Sequence, residues 1–124
     1  MLYVEDNPPN IALMQELVDS VPNLRLLTAS DGNTGLALAH AHRPDVIVLD
    51  INLPGMSGFE ILRRLKSARR TGDIPVMALS AAALPQDVER GKASGFTHYL
   101  TKPIDVQEFL AAVDSVLTSN RGRA

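Results

Sequence analysis

Two hydrophobic periodicities alternate along the chain. Short apolar runs fall at residues 2–4, 24–29, 46–49, 76–79 and 98–100. Between them apolar residues recur at helical spacing: Met14, Leu17 and Val18; Ile61, Leu62 and Leu65; Phe109, Val113 and Leu117. The alanine- and leucine-rich stretch 35–41 and the more polar stretch 86–93 predict the two remaining helices. Several helix starts are marked. Ser57 with Glu60 fits a capping box, Asp105 with Glu108 its aspartate variant, and Asn7 before Pro8-Pro9 a cap followed by proline in the first turn. The pattern predicts five β-α units. Strands that alternate with helices in this way form a parallel sheet covered on both faces, which is why a run such as Val-Ile-Val-Leu at 46–49 need not alternate with polar residues.

The first run is shorter than the ~5–6 residues of a typical strand, so the native polypeptide is expected to extend upstream of Met1. Residues 1–119 are expected to form one domain. Residues 120–124, with two arginines, are expected to be a flexible tail or a cut linker.

Composition narrows the function. The 124 residues suffice for one domain with a real core. The net charge of −2 argues against nucleic-acid contact by this domain. The absence of cysteine excludes disulfides, thiolate nucleophiles and cysteine-ligated zinc, and agrees with a reducing, cytoplasmic setting. No apolar stretch approaches the ~20 residues of a membrane span, so no membrane insertion is expected.

In an open parallel sheet, ligands bind beyond the carboxyl ends of the strands. Glu5 and Asp6 follow the first strand, Asp50 the third, Ser80 the fourth, and Thr101, Lys102 and Pro103 the fifth. A parallel arrangement brings three carboxylates, a hydroxyl and an ammonium to one edge. Carboxylates crowded there repel one another, so either some take up protons or a cation resolves the conflict. Oxygen donors without Cys or His select a hard ion such as Mg²⁺. Such an ion can hold a phosphoryl group, with a lysine to neutralise charge and a hydroxyl to donate a hydrogen bond. These are the parts of a phosphoryl-transfer site.

The stretches YVEDNPPN, VIVLDINLPGMSGFEILRRLK, IPVMALSAAA and HYLTKPID together resemble a receiver domain of two-component signalling, across essentially the whole chain. The resemblance implies a flavodoxin-like (βα)5 three-layer sandwich with strand order 2-1-3-4-5; a receiver protein is a standard example of that order. It implies Asp50 as phosphoacceptor, taking the phosphoryl group from a phosphohistidine on a histidine kinase or a histidine phosphotransfer protein. It implies Mg²⁺ (or Mn²⁺) held by Asp6, Asp50 and the backbone carbonyl of Asn52, with Glu5 acting mainly through a metal-bound water. Ser80 would be the switch hydroxyl, Lys102 the phosphoryl contact or the partner of Asp50, Tyr99 the rotating aromatic, and Lys102–Pro103 a cis peptide. Asn52 and Ala82 fall where the family tunes hydrolysis of the acyl phosphate. Ile11 and Leu13, off the core stripe of the first helix, are candidate partner-docking residues. The face of the fourth helix, fifth strand and fifth helix is a candidate output and dimer surface. As an isolated domain the chain would be an acceptor rather than an enzyme, though the parent could be a hybrid histidine kinase.

Other readings fit less well. A phosphorylation-independent receiver-like adaptor would not need this full residue set. A phosphatase with an aspartyl nucleophile would need a second carboxylate where Asn52 stands. A flavodoxin would need a phosphate-cradling loop where the acidic, stiff EDNPP lies.

Overall fold

The structure, a computed structural model, describes residues 1–121, with side-chain surroundings through residue 118. Strands and helices alternate: β1 (Leu2–Val4), α1 (Pro8–Asp19), β2 (Leu27–Ala29), α2 (Gly32–His42), β3 (Ile47–Asp50), α3 (Gly58–Ser67), β4 (Val76–Ser80), α4 (Pro85–Ser94), β5 (His98–Thr101) and α5 (Val106–Arg121). The strands form one parallel sheet in the order β2-β1-β3-β4-β5. This is the flavodoxin-like arrangement that the family resemblance implies.

Successive side chains of a strand point to opposite faces. Leu2, Val4, Ile47, Leu49, Val76 and Ala78 pack with Ala39 of α2 and Ile61, Leu62 and Leu65 of α3. Tyr3, Val48, Met77, Leu79 and Leu100 pack with Met14, Leu17 and Val18 of α1 and Phe109 and Val113 of α5. The sheet is thus buried on both sides, the physical reason its inner strands read as unbroken apolar runs.

Most boundaries shift by one to three residues from expectation, and two of the differences have a structural consequence. β2 covers Leu27–Ala29 rather than the whole run 24–29. It is an edge strand whose one neighbour is β1, and its ladder matches the three residues Leu2, Tyr3 and Val4. Leu24 and Leu26 instead pack, half-buried, against the α1/α5 core. At the other end, α5 is helical through Arg121, and the remainder of the expected tail, 122–124, lies outside the described residues.

The cap residues hold the helix starts as read, but in both expected capping boxes, Ser57/Glu60 and Asp105/Glu108, only the cap residue's half is made. Asn7 Oδ1 accepts the Asn10 N–H (3.3 Å), and Asp105 Oδ1 accepts that of Glu108 (3.0 Å). Ser57 Oγ accepts the Glu60 N–H (3.3 Å), but the reciprocal half of the box is not made. The Glu60 carboxylate turns along α3 to Arg63 and Arg64 instead. Those charge-assisted bonds are stronger than one to a neutral N–H. The sequence reading passed over the cap of α2, where Asp31 accepts both the N–H (2.7 Å) and the hydroxyl (3.0 Å) of Thr34.

Candidate functional site

The strand order reverses direction between β1 and β3, the switch point where an open α/β sheet forms a crevice. Glu5 and Asp6 leave β1 there, and Asp50 is the last residue of β3. Glu5, Asp6 and Asp50 each offer a carboxylate oxygen, and these oxygens all lie within 4.8 Å of one another. Glu5 and Asp50 are buried, while Asp6 is exposed.

Lys102 arrives from the other side of the crevice. Its backbone N–H donates to the Ser80 carbonyl (2.8 Å), which fixes the end of β5 beside the end of β4. The Lys102–Pro103 peptide is cis. The ammonium lies 3.2 Å from Asp50 Oδ2 and 3.5 Å from Glu5 Oε1. The other Asp50 oxygen, Oδ1, accepts the Asn52 N–H at 3.0 Å. The Asn52 side chain is exposed, and the turn that follows passes through Gly55 at φ +85°, a left-handed conformation that suits glycine.

The two buried acids titrate in opposite directions. Burial raises the Glu5 carboxyl above its ordinary range, and the hydrogen bond it shares with Asp50 pushes the same way; Asn10 and Lys102 only partly offset this. For Asp50 burial also works upward, but the shared hydrogen bond, the Asn52 N–H and Lys102 outweigh it and hold Asp50 below its ordinary range. Of the two, Asp50 is therefore the stronger acid and the one that ionises first. An ionised carboxylate is what a nucleophile requires.

The donor set fits a hard divalent cation. All three side chains offer oxygen, His and Cys are absent from the cluster, and exposed Asp6 and Asn52 leave the cleft open to the waters such an ion retains.

Ser80 is fully buried at the end of β4, and its hydroxyl accepts the Ala82 N–H at 3.0 Å. The Ala82 carbonyl accepts the Tyr99 hydroxyl at 2.9 Å. One peptide residue of the β4–α4 loop thus bridges the two residues that the sequence reading nominated as a switch. Ile11 is half-buried against the α1/α5 core, and Leu13 is 38% exposed. Ile11 and Leu13 belong to α1, whereas Tyr99 and Lys102 come from β5 and the loop after it.

The sequence reading missed three residues around the site. Tyr3 and Asn10 both donate to Glu5 Oε1, at 3.0 and 2.7 Å. Tyr3 hides inside an apolar run, where it reads as one more core residue. The signal that could have exposed it is its i, i+2 spacing from Glu5, which places both on one face of the strand. Burial and the neighbouring Glu5 charge raise the Tyr3 phenol well above its ordinary range, so it stays a donor. Gly91 is the third: it lies under the Tyr99 ring, and its role is a missing side chain.

Residues 1–114 match the family profile of the response regulator receiver domain, and the chain belongs to that family. It is 37% identical over 117 residues to the polar-differentiation response regulator DivK of Brucella anthropi, covering 94% of each chain. It is 40% identical over 116 residues to the DNA-binding dual master transcriptional regulator RpaA of Synechocystis sp., covering 94% of this chain but 48% of that longer protein. Among solved structures it is similar to the receiver domain of sensor histidine kinase PA1611 from Pseudomonas aeruginosa (29% identity, TM-score 0.85, 94% of this chain and 95% of that one). That structure carries a magnesium ion coordinated in its active-site cleft. Among the described residues no helix is long and apolar enough to cross a membrane.

Proposed function

We propose that this receiver domain accepts a phosphoryl group on Asp50 from the phosphohistidine of a histidine kinase or histidine phosphotransfer protein. The observation that carries the reading is the position of Asp50: buried, kept anionic, and 3.2 Å from the Lys102 ammonium beside two further carboxylates. In the transfer an Asp50 oxygen forms a bond to phosphorus as the P–N bond breaks. The imidazole leaves with that electron pair and remains on the donor. Glu5, Asp6, Asp50 and the Asn52 carbonyl would hold Mg²⁺ (or Mn²⁺), which when bound neutralises phosphoryl oxygens and aligns them for in-line displacement. Lys102 sits close enough to Asp50 to move onto the incoming phosphoryl oxygens.

Ser80 would leave the Ala82 N–H to donate to the phosphoryl group. The loop at Ala82 then shifts, and the Tyr99 hydroxyl loses or follows its acceptor. Phosphorylation would in this way change the face of α4, β5 and α5, for a partner protein or for a second copy of the chain. Docking of the phosphodonor would use Ile11 and Leu13 of α1.

Exposure to a small acyl phosphate with Mg²⁺ should add one phosphoryl mass to the wild-type protein and none to Asp50→Asn. A D50N protein that still gains the mass would refute the assignment, and a wild type that never gains it would favour the adaptor reading. The double substitution Ile11→Ser, Leu13→Ser should slow transfer from the cognate phosphohistidine protein while leaving labelling by the small donor unchanged. Equal rates from the protein donor would remove α1 from the docking surface.

A further inference from the structure

Glu5 is held more elaborately than a metal-site acid at a loop requires. Its oxygen Oε1 meets three donors: the Tyr3 hydroxyl at 3.0 Å, the Asn10 side-chain amide at 2.7 Å and the Lys102 ammonium at 3.5 Å. Its other oxygen, Oε2, accepts one, the Asp6 N–H at 3.1 Å. A carboxylate oxygen has about two lone-pair sites, so three donors saturate Oε1, while Oε2 has a single backbone donor. The donors come from two rigid elements. Tyr3 lies in the middle of β1 and is wholly buried, and Asn10 stands in the first turn of α1. A buried tyrosine hydroxyl needs a partner, and here the surrounding core fixes where that partner must be.

Glutamate has one more rotatable bond than aspartate, and its terminal torsion is soft. Left free, it could point either oxygen, or neither, at an ion between Asp6 and Asp50. We infer that Tyr3 and Asn10 are positioning residues of the cation site: they tie down Glu5 Oε1 so that Oε2 alone faces the ion and its water shell. The inference rests on the reading of this cleft as a divalent-cation site. It concerns how that site is aimed, through residues that touch neither the ion nor the phosphoryl group. Hydrogen bonds of this kind orient ligands and set affinity in metal sites generally.

The test is calorimetric titration of the full chain with MgCl₂. Wild type is compared with Tyr3→Phe, which keeps the ring and removes the hydroxyl, and with Asn10→Ala, a change at a half-buried helix position that leaves the core intact. The expected result is a Kd for Mg²⁺ raised by about tenfold in either variant. Repeating Y3F in a Glu5→Asp background separates positioning from general damage, because the shorter carboxylate falls away from the Tyr3 hydroxyl. There the same substitution should leave the Kd unchanged. Kd values less than about threefold above wild type in both single variants would overturn the inference, as would an equal loss in the E5D background. If Y3F fails to fold, N10A decides alone. Absence of Mg²⁺ binding by wild type would instead overturn the cation site itself, which keeps the two failures distinct.

Discussion

Gly91 shows how one missing methyl group can set the position of a whole side chain. A Cβ built there would come within 2.2 Å of Tyr99 Cδ2 and 2.7 Å of Cε2. The ring therefore occupies the space a side chain of α4 would fill, and its hydroxyl reaches the Ala82 carbonyl at 2.9 Å. Alanine is the better helix former by ~1 kcal/mol, but overpacking of this severity costs ~1–3 kcal/mol. Gly91→Ala should therefore lower stability by roughly 1 kcal/mol in wild type. In a Tyr99→Ala background, with the ring gone, the same change should raise stability by up to ~1 kcal/mol. Urea denaturation of the four proteins measures this, and a gain in both backgrounds would mean that ring and helix do not compete for the space. At this scale the sequence was legible wherever a charged or hydroxyl side chain ends an apolar run. Glu5, Asp6, Asp50, Ser80 and Lys102 each announce themselves by following an apolar run. Tyr3 and Gly91 do not, because their roles lie in a partner two positions along a strand and in empty volume under a ring.

Among the elements α4 is the most weakly held. Its sole buried residue is that glycine, whereas α3 buries Ile61, Leu62 and Leu65. What else fastens it is lateral: the Arg90 guanidinium lies 4.2 Å from the centre of the Phe59 ring, and Phe59 meets Phe96 edge-on at 5.7 Å. A helix with so little buried apolar surface opens at low free-energy cost. Backbone amides of α4 should therefore exchange with solvent faster than those of α1 and α3, and Arg90→Ala should speed them further while costing ~0.5–1 kcal/mol in global stability. Protection in α4 equal to that in α3 would count against a movable α4. The same weakness explains what the hydrophobic pattern could and could not convey. The stretch 86–93 gives a faint helical signal because the helix has almost no apolar stripe. The inner strands read clearly because both of their faces are buried, and the extent of β2 did not, since an edge strand's ladder is limited by its neighbour rather than by its own residues.

For the whole molecule, the acid cluster is where folding and function meet. In the metal-free protein Glu5 titrates above its ordinary 4.5. The folded state thus binds that proton more tightly than the unfolded chain does. The resulting stabilisation is complete below the unfolded value and is lost as pH rises through the higher, folded one. Asp50 runs the other way: its folded value lies below the ordinary 3.8, so its contribution is present above 3.8 and lost as pH falls through the folded value. Above pH 4.5 the metal-free protein should therefore weaken as Glu5 ionises beside Asp50. A divalent ion supplies the positive charge that the departing proton takes away, so binding and deprotonation are linked. At a hundred times its Kd, Mg²⁺ should add about 2.7 kcal/mol, or roughly 10 °C in Tm for a domain of this size. At a fixed Mg²⁺ concentration the increment should be smallest at acid pH, where the ion must displace the Glu5 proton, and should grow as pH rises through the raised Glu5 value. Melting curves in chelator and in Mg²⁺ across that range measure the difference directly, and Glu5→Gln, which cannot ionise, should flatten the decline of the metal-free curve. A Mg²⁺ increment independent of pH would show that the ion displaces no proton from Glu5, and that the charge conflict in the cleft is resolved elsewhere.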